Sequence, residues 1–155
     1  MHEEPFHVLV VASSGGHVSR AVDAGKFLDE AGLKVTYFIC ENQVPPELNA
    51  TVHEGYWPVS RHPLNLARNT ARAVRIIRTI KPDCIFSTGA AIGISAFIAG
   101  RMLGVRLVFA EAIDFLSTAS KSAALAEKLG AEILVHDVDQ LSNFTDARWV
   151  GPDTR

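Results

Sequence analysis

A short run of small residues followed by a histidine has the composition of a phosphate-binding turn. Ser13, Ser14, Gly15, Gly16 and His17 follow an apolar run of strand length and precede a helix-like segment. Glycines let the backbone approach a ligand closely, and the free amides at the start of a helix attract phosphate. We therefore predict that the four small residues contact a phosphate or a sugar phosphate. A tight turn that needs glycine for its geometry alone would give the same pattern.

Two later stretches carry similar chemistry. One of them, residues Ser87, Thr88 and Gly89, joins another apolar run to a helix-like segment. The hydroxyls of Ser87 and Thr88 suit a polar ligand, although Thr88 can equally cap the helix. Glu111 is the first charged residue after the next apolar run. Imidazole and carboxylate groups commonly act as general bases, so His17 and Glu111 are candidate catalytic residues. A carboxylate at this place can also bind sugar hydroxyls or cap the following segment.

Basic residues are concentrated in one part of the chain. Between Glu54 and Asp83 there is no acidic residue, whereas the basic residues there give a charge of +6. Four of them fall on one face of a helix: Arg68, Arg72, Arg75 and Arg78. This face is either the solvated side of an ordinary amphipathic helix or a contact with anionic lipid or an acidic partner.

The elements that must position these residues follow from the alternation of apolar runs and helix-period segments. The predicted strands cover residues 6–12, 34–40, 83–87, 105–110 and 132–136, with a weak strand at 148–150 and a short one near Val52 or Val59. The predicted helices cover residues 17–30, 64–80, 90–103 and 119–129. Several of these helices are bounded by proline at the start or glycine at the end.

Continuous apolar strands between helices indicate a parallel sheet that is covered on both faces. The predicted fold is therefore α/β, a Rossmann-like, doubly wound parallel sheet, in one domain over residues 1–155. In such sheets ligands bind beyond the carboxyl ends of the strands. Residues 13–17, 87–93 and 111–117 would all lie at that edge.

The composition narrows the class of protein. With 48% apolar and 21% charged residues, the chain of 155 residues is typical of a folded domain, and its net charge of −2 argues against a nucleic-acid-binding protein. Cys40 and Cys84 lie in apolar runs and are predicted to be buried thiols. The uncharged stretch 84–100 is shorter than the ~20 apolar residues of a membrane span, so a strand, a turn and a helix are predicted there.

Several common motifs are absent from these loops. The glycines at 15 and 16 do not have the GxGxxG spacing, no Gly-Lys-Ser/Thr follows them, and no GxSxG segment occurs. No group of His or Cys residues has the spacing of metal ligands. We therefore predict no cofactor and no metal. Glu41 ends the second predicted strand, where a ribose-binding acid would lie, so a soluble nucleotide- or NAD-binding Rossmann enzyme remains an alternative.

Three segments, taken together, resemble a known family. They are residues 10–17 (VVASSGGH), 81–90 (KPDCIFSTGA) and 103–111, which begins Leu-Gly-Val and ends Phe-Ala-Glu. In order and spacing they resemble the oligosaccharide-biosynthesis family of split GT-B glycosyltransferases. That family includes the membrane-recruiting subunit of the eukaryotic lipid-linked N-acetylglucosaminyltransferase and bacterial exopolysaccharide glycosyltransferase subunits. The resemblance covers about residues 6–150 and implies the amino-terminal half of a GT-B enzyme.

The resemblance also implies a division of labour between two chains. This chain would bind a polyprenyl-diphosphate-linked sugar, and a separate partner subunit would bind the UDP-sugar donor. Residues 14–17 would then line the acceptor diphosphate and sugar, residues 87–89 would line the same cleft, and Glu111 would project into it. The chain is expected to lie in the cytoplasm at the inner face of the membrane, and to be inactive without its partner.

Two segments depart from the family pattern. Residues 111–117 (EAIDFLS) lack the arginine and the glycine that usually follow the family's glutamate. Residues 136–140 (HDVDQ) replace an aromatic-rich segment. A different acceptor, or a non-catalytic scaffold subunit, is therefore a further alternative.

Overall fold

Parallel strands form one seven-stranded sheet in the computed structural model of this chain, which describes residues 4–151. The strands are β1 His7–Ala12, β2 Lys34–Cys40, β3 Val52–Gly55, β4 Cys84–Ser87, β5 Arg106–Ala110, β6 Glu132–Val135 and β7 Ala147–Trp149. The helices are α1 Gly16–Glu30, α2 Pro63–Ile80, α3 Ala91–Leu103 and α4 Lys121–Lys128, and a short 3-10 helix covers Val138–Asn143. The predicted domain limits at residues 1 and 155 lie outside the described residues.

The strand order is β3-β2-β1-β4-β5-β6-β7, so the direction of winding changes between β1 and β4. Every neighbouring pair is parallel, as in Val11 of β1 against Ser87 of β4 and Ser87 against Phe109 of β5. A change of winding direction leaves a crevice at the carboxyl ends of the two strands concerned. The loops after β1, β4 and β5 therefore meet at this edge, and the predicted doubly wound fold is confirmed.

The core lies on both faces of the sheet because residues along β1 point alternately to opposite sides. Val8, Val10 and Ala12 pack in the cluster that contains α1, and Leu9 and Val11 pack in the larger cluster under α2, α3 and α4. In the larger cluster the rings of Phe97 and Phe109 meet edge to face, with their centroids 6.2 Å apart. The sheet is therefore a fixed platform for the loops at its carboxyl edge.

The helix ends follow the signals in the sequence. Pro63 occupies the first position of α2, and the His62 imidazole Nδ1 accepts a hydrogen bond from the amide of Asn65. Lys81, just before Pro82, ends α2 in a left-handed conformation with φ of 47°. The predicted strand near Val52 or Val59 lies at Val52–Gly55, and each predicted helix is confirmed with small shifts of its ends.

Both cysteines are buried, as predicted. Burial raises the pKa of the Cys40 thiol to about 12 and that of the Cys84 thiol to about 11. The uncharged stretch 84–100 forms β4, a turn and most of α3. Among the described residues, none of the helices combines the length and the apolar character required to cross a membrane.

Candidate functional site

A cavity of about 370 Å³ opens where the carboxyl ends of β4 and β5 face the start of α1. We call it the edge cavity. It brings together four residues predicted from three separate segments: His17, Thr88, Gly89 and Glu111. The start of α4 and Phe115 close its far side. The fold thus joins the candidate residues into one site, as expected for loops that follow neighbouring parallel strands.

His17 and Thr88 are held together by two hydrogen bonds. The imidazole Nδ1 lies 3.1 Å from the carbonyl oxygen of Thr88, and the Thr88 hydroxyl donates to the carbonyl oxygen of His17 at 2.9 Å. A carbonyl oxygen only accepts, so Nδ1 carries the proton in this arrangement. In the neutral ring, Nε2 then keeps its lone pair. The imidazole is therefore oriented with an acceptor nitrogen available beside the edge cavity.

Gly89 is needed where it contacts this imidazole. A Cβ at position 89 would lie 2.7 Å from Cε1 and 2.8 Å from Nδ1 of His17. Its φ of +132° is also a conformation that residues with a side chain rarely adopt. Gly89 therefore acts as a close backbone support for His17.

Glu111 is buried, with 2% of its surface exposed. One carboxylate oxygen accepts from the amide of Ala112 at 2.9 Å, and the other accepts from the amide of Ser120 at 2.8 Å. Glu111 also lines a second cavity of about 580 Å³ beside α1. Its clearest role in this geometry is to hold the two ends of the loop 112–120 in place.

The turn after β1 is open on its outer side. Gly15, with φ of +55°, and Gly16 have no atom within 4 Å of the place that a Cβ would occupy. Helix α1 begins at Gly16 without a side-chain cap, so its first amides are not used by a capping side chain. Ser14, Gly15 and Gly16 are accessible to a ligand, whereas Ser13 is buried and is not placed to contact one.

The prediction that Ser87 lines the cleft is wrong. Its side chain is fully buried, and its hydroxyl donates to the carbonyl oxygen of Val11 at 3.1 Å and accepts from the amide of Gly89 at 3.3 Å. Ser87 therefore ties the end of β4 to β1. Thr88 does not cap α3 either, because the residue at that position is Ala90, which makes no side-chain cap.

Gln140 belongs to the site, and sequence reasoning missed it. Its side-chain oxygen accepts from the amides of His136 and Asp137, both at 3.0 Å. Its side-chain nitrogen donates to the carbonyl oxygens of Ala112 at 2.8 Å and Phe115 at 3.2 Å. The fully buried Gln140 therefore fixes one wall of the edge cavity. The Asp-x-x-Gln spacing of a capping box was the available signal.

The basic face of α2 is only partly free. Arg68, Arg75 and Arg78 are exposed, and the Arg68 guanidinium also lies 5.7 Å from the centroid of the Tyr56 ring. Arg72 instead lies over the ring of Tyr56, 4.2 Å from its centroid, and donates to the Tyr56 hydroxyl and to the carbonyl oxygen of Glu54. Arg72 is thus committed to the link between β3 and α2, and the predicted surface of four arginines is reduced to three.

Glu41, on which the nucleotide-binding alternative depends, takes part in a contact with the loop after β3. One carboxylate oxygen of Glu41 accepts a hydrogen bond from the amide of Trp57 at 3.2 Å, so this side chain is used in part by the loop after β3. Within residues 4–151, no three His, Cys, Asp or Glu side chains are grouped so as to hold a metal ion.

Comparison with known proteins places these features in a family. The model of Glycosyltransferase Family 4 matches residues 14–111, which run from the open turn to Glu111 and cover more than half of the chain. Two similar proteins are the UDP-N-acetylglucosamine--N-acetylmuramyl-(pentapeptide) pyrophosphoryl-undecaprenol N-acetylglucosamine transferases of Pseudomonas syringae pv. syringae and Stutzerimonas stutzeri. The identities are 26% and 28%, over 76% and 75% of this chain. The chain spans only 37% and 36% of the length of these relatives.

Solved structures share the fold. MurG of Acinetobacter baumannii superposes with a TM-score of 0.78 at 20% identity, covering 95% of this chain and 45% of MurG. A UDP-GlcNAc 2-epimerase of Neisseria meningitidis bound to UDP-GlcNAc gives a TM-score of 0.69 at 14% identity, covering 88% of this chain and 42% of the epimerase. The fold is that of the amino-terminal part of a GT-B glycosyltransferase, with homology to MurG-type enzymes. The chain belongs to Glycosyltransferase Family 4.

Proposed function

We propose that this chain is the acceptor-side subunit of a two-component GT-B glycosyltransferase. The enzyme would move a sugar from a UDP-sugar to a polyprenyl-diphosphate-linked saccharide in polysaccharide or oligosaccharide biosynthesis. The observation that carries the proposal is the grouping of His17, Thr88, Gly89 and Glu111 around the edge cavity, next to the uncapped start of α1. The names of the similar Pseudomonas and Stutzerimonas enzymes, which include a pyrophosphoryl-undecaprenol acceptor, support this substrate class.

The acceptor diphosphate is proposed to lie against the open turn. Ser14, Gly15 and Gly16 leave space for it, and the start of α1 offers backbone amides with the positive end of the helix dipole. The sugar attached to this diphosphate would then enter the edge cavity. Such an arrangement needs no metal ion to hold the phosphates.

His17 is the proposed general base. A base must take the proton of the acceptor hydroxyl as it attacks the donor sugar, and the free lone pair on Nε2 is suited to that task. The hydrogen bond from Nδ1 to Thr88 fixes the orientation of the ring. Glu111, whose two oxygens already accept backbone hydrogen bonds, is proposed to act by positioning the cavity wall.

The donor is proposed to bind to a separate partner chain. The basis is the resemblance of the SSGGH and KPD…STGA segments to the split glycosyltransferases. Two segments depart from the family pattern, and both lie at the edge cavity. Segment 111–117 contributes Phe115 to its lining, and segment 136–140 contributes Gln140, which donates a hydrogen bond to the carbonyl oxygen of Phe115. Differences there are expected to alter which acceptor sugar is bound.

A contact with the inner face of the membrane is proposed for α2. Arg68, Arg75 and Arg78 form its exposed basic face, and each basic side chain near an anionic surface contributes about 1 kcal/mol of attraction. An Arg75→Glu, Arg78→Glu double variant should bind anionic vesicles more weakly at low salt. The matched control is a Lys26→Glu, Lys34→Glu double variant. It changes the net charge of the chain by the same amount, at exposed residues outside α2. Equal losses in both double variants would contradict the assignment of α2 as the contact.

Flotation with liposomes tests the function as a whole. The purified chain is mixed with neutral or anionic vesicles, with and without undecaprenyl-diphosphate-linked GlcNAc, at low and high salt. We expect binding to increase with the lipid-linked sugar and to weaken in a Gly16→Ala, His17→Ala double variant. A Ser19→Ala variant, on the exposed side of α1, serves as the control. Binding that is indifferent to the lipid-linked sugar would contradict the proposed function.

A further inference from the structure

One charged group at the edge cavity is not used by the fold. Three of the side chains that line this cavity can carry a charge, and they belong to His17, Glu111 and Lys121. The His17 imidazole is held by Thr88, and both oxygens of Glu111 accept hydrogen bonds from backbone amides. Lys121 is exposed, and no carboxylate of the described residues lies within 4.0 Å of its ammonium group. The Lys121 charge is therefore available to a ligand.

The stability of α4 does not explain this lysine. Lys121 is the first residue of the helix, and the first turn contains no acidic residue. A positive charge is unfavourable at the start of a helix and favourable at its end, where α4 carries Lys128. A residue that opposes the local preference is typical of a functional site. Lys121 is thus better explained by what enters the cavity than by the helix that carries it.

The two ends of the edge cavity differ in chemistry. Nε2 of His17 offers a lone pair at the end next to the open turn, and a hydroxyl can donate to it. At the far side the Lys121 ammonium group offers three N–H donors and a positive charge, which suit an anion. Phe115, which is 41% exposed, lies on that side and offers apolar surface to a sugar ring. The cavity therefore suits a ring that has a hydroxyl at one end and a negative group at the other.

We propose that the acceptor sugar is a hexuronic acid whose carboxylate binds the Lys121 ammonium group, an inference that rests on the proposed function. The carboxylate of such a sugar is attached to C5 and the diphosphate to C1, so the two anionic groups bind at separate places. The diphosphate lies on the open turn formed by Ser14, Gly15 and Gly16, and the carboxylate reaches the far side of the edge cavity. A hydrogen bond between two charged groups is roughly twice as strong as one between neutral groups. Lys121 therefore selects an acidic acceptor sugar over a neutral one.

The test compares three probes that share one farnesyl diphosphate and differ only in the sugar. Their sugars are glucuronic acid, glucuronamide and glucose, and each probe is titrated calorimetrically into the 155-residue chain. Glucuronamide has nearly the shape of glucuronic acid without its charge. All three probes should bind through the diphosphate. Because a hydrogen bond to a charged group is worth about tenfold or more in affinity, the glucuronic acid probe should bind more tightly than the other two by that factor.

Three variants locate the source of this preference. Lys121→Met keeps the length of the side chain without its charge, and it should reduce the preference for glucuronic acid over glucuronamide to less than about threefold. Lys121→Arg keeps the charge and should retain most of the preference. Lys128→Met, at the other end of α4 and outside the edge cavity, removes the same charge from an exposed lysine and is the matched control. It should leave the preference at its full value.

The outcomes separate the two proposals. If the wild-type chain binds all three probes equally, or if Lys121→Met weakens them all by one factor and the preference survives, Lys121 does not recognise a carboxylate, although the acceptor site stands. A preference that is lost equally in Lys128→Met would also contradict the inference. If no probe binds, the proposed function fails and the inference fails with it. Thermal unfolding of each variant shows whether a lost preference accompanies a folded chain.

Discussion

The carboxylate of Glu111 provides a sharp test of how the site is built, because both of its oxygens are used. Glu111→Gln keeps the shape of the side chain but replaces one oxygen by an NH₂ group. That group faces either the amide of Ala112 or the amide of Ser120, which now donate to carboxylate oxygens at 2.9 and 2.8 Å. One buried amide therefore loses its acceptor.

The cost follows from the two hydrogen bonds. A hydrogen bond to a charged group contributes about 1.5–3 kcal/mol, and a buried amide without a partner costs a similar amount. The loss of the buried charge removes its desolvation cost and offsets part of this effect. We expect the free energy of unfolding to fall by about 2 kcal/mol, which with a typical urea dependence lowers the midpoint by about 1 M.

Urea unfolding at neutral pH measures this change, and hydrogen exchange at the amide of Ser120 reports on the bond itself. Glu30→Gln, an exposed glutamate at the end of α1, is the control and should change the unfolding free energy by less than about 0.5 kcal/mol. If Glu111→Gln is no more destabilising than Glu30→Gln, and exchange at residue 120 is unchanged, Glu111 does not hold the loop 112–120.

Three further perturbations address the neighbouring contacts. Gly89→Ala should weaken acceptor binding at least tenfold because its Cβ meets the His17 imidazole. Gly104→Ala, at a glycine that also has a positive φ (+71°) but has no atom within 4 Å of its Cβ position, should lose stability only. Equal binding by both variants would contradict the role of Gly89. Gln140→Leu should cost about 3 kcal/mol of unfolding free energy, since four backbone groups lose their partner, and a loss in urea unfolding below about 1 kcal/mol would refute this. Burial, as the main cause, and the positive charge of Lys34, as the second, lower the pKa of His7 below its usual 6.5. The His7 imidazole is therefore protonated at a higher pH in the unfolded chain than in the folded chain. The contribution of neutral His7 to the free energy of unfolding is therefore complete above pH 6.5 and is lost as the pH falls toward the pKa of His7 in the folded chain. His7→Gln should show a smaller loss of unfolding free energy on acidification. An unchanged pH dependence would contradict the burial of His7 as a neutral group.

The fold was predictable because its signals are local. The run VLVVA in β1 and the run YFIC in β2 are apolar throughout, as is typical of strands that are buried on both faces. Pro63 marks the start of α2, and Gly104 follows the end of α3 in a left-handed conformation. These residues determine conformation within a few positions, so a single sequence is enough to place the elements.

The contacts of individual polar side chains were less predictable because they join distant segments. The hydroxyl of Ser87 bonds to Val11, 76 positions earlier, and that contact buries it away from the cleft. Arg72 packs on Tyr56 across the link between β3 and α2. Gln140 reaches Ala112, 28 positions away. Helical spacing and residue type show none of these partners, whereas the grouping of His17, Thr88 and Glu111 followed from the sheet topology.

The most direct test of the acceptor-side assignment is a calorimetric comparison of two ligands with the isolated chain. UDP-GlcNAc represents the donor, and GlcNAc diphosphate esterified with farnesol represents the acceptor. The account predicts binding of the farnesyl-linked sugar diphosphate, weakened at least tenfold in His17→Ala, and no measurable binding of UDP-GlcNAc. Binding of UDP-GlcNAc without binding of the lipid-linked compound would contradict it and would favour a nucleotide-binding enzyme.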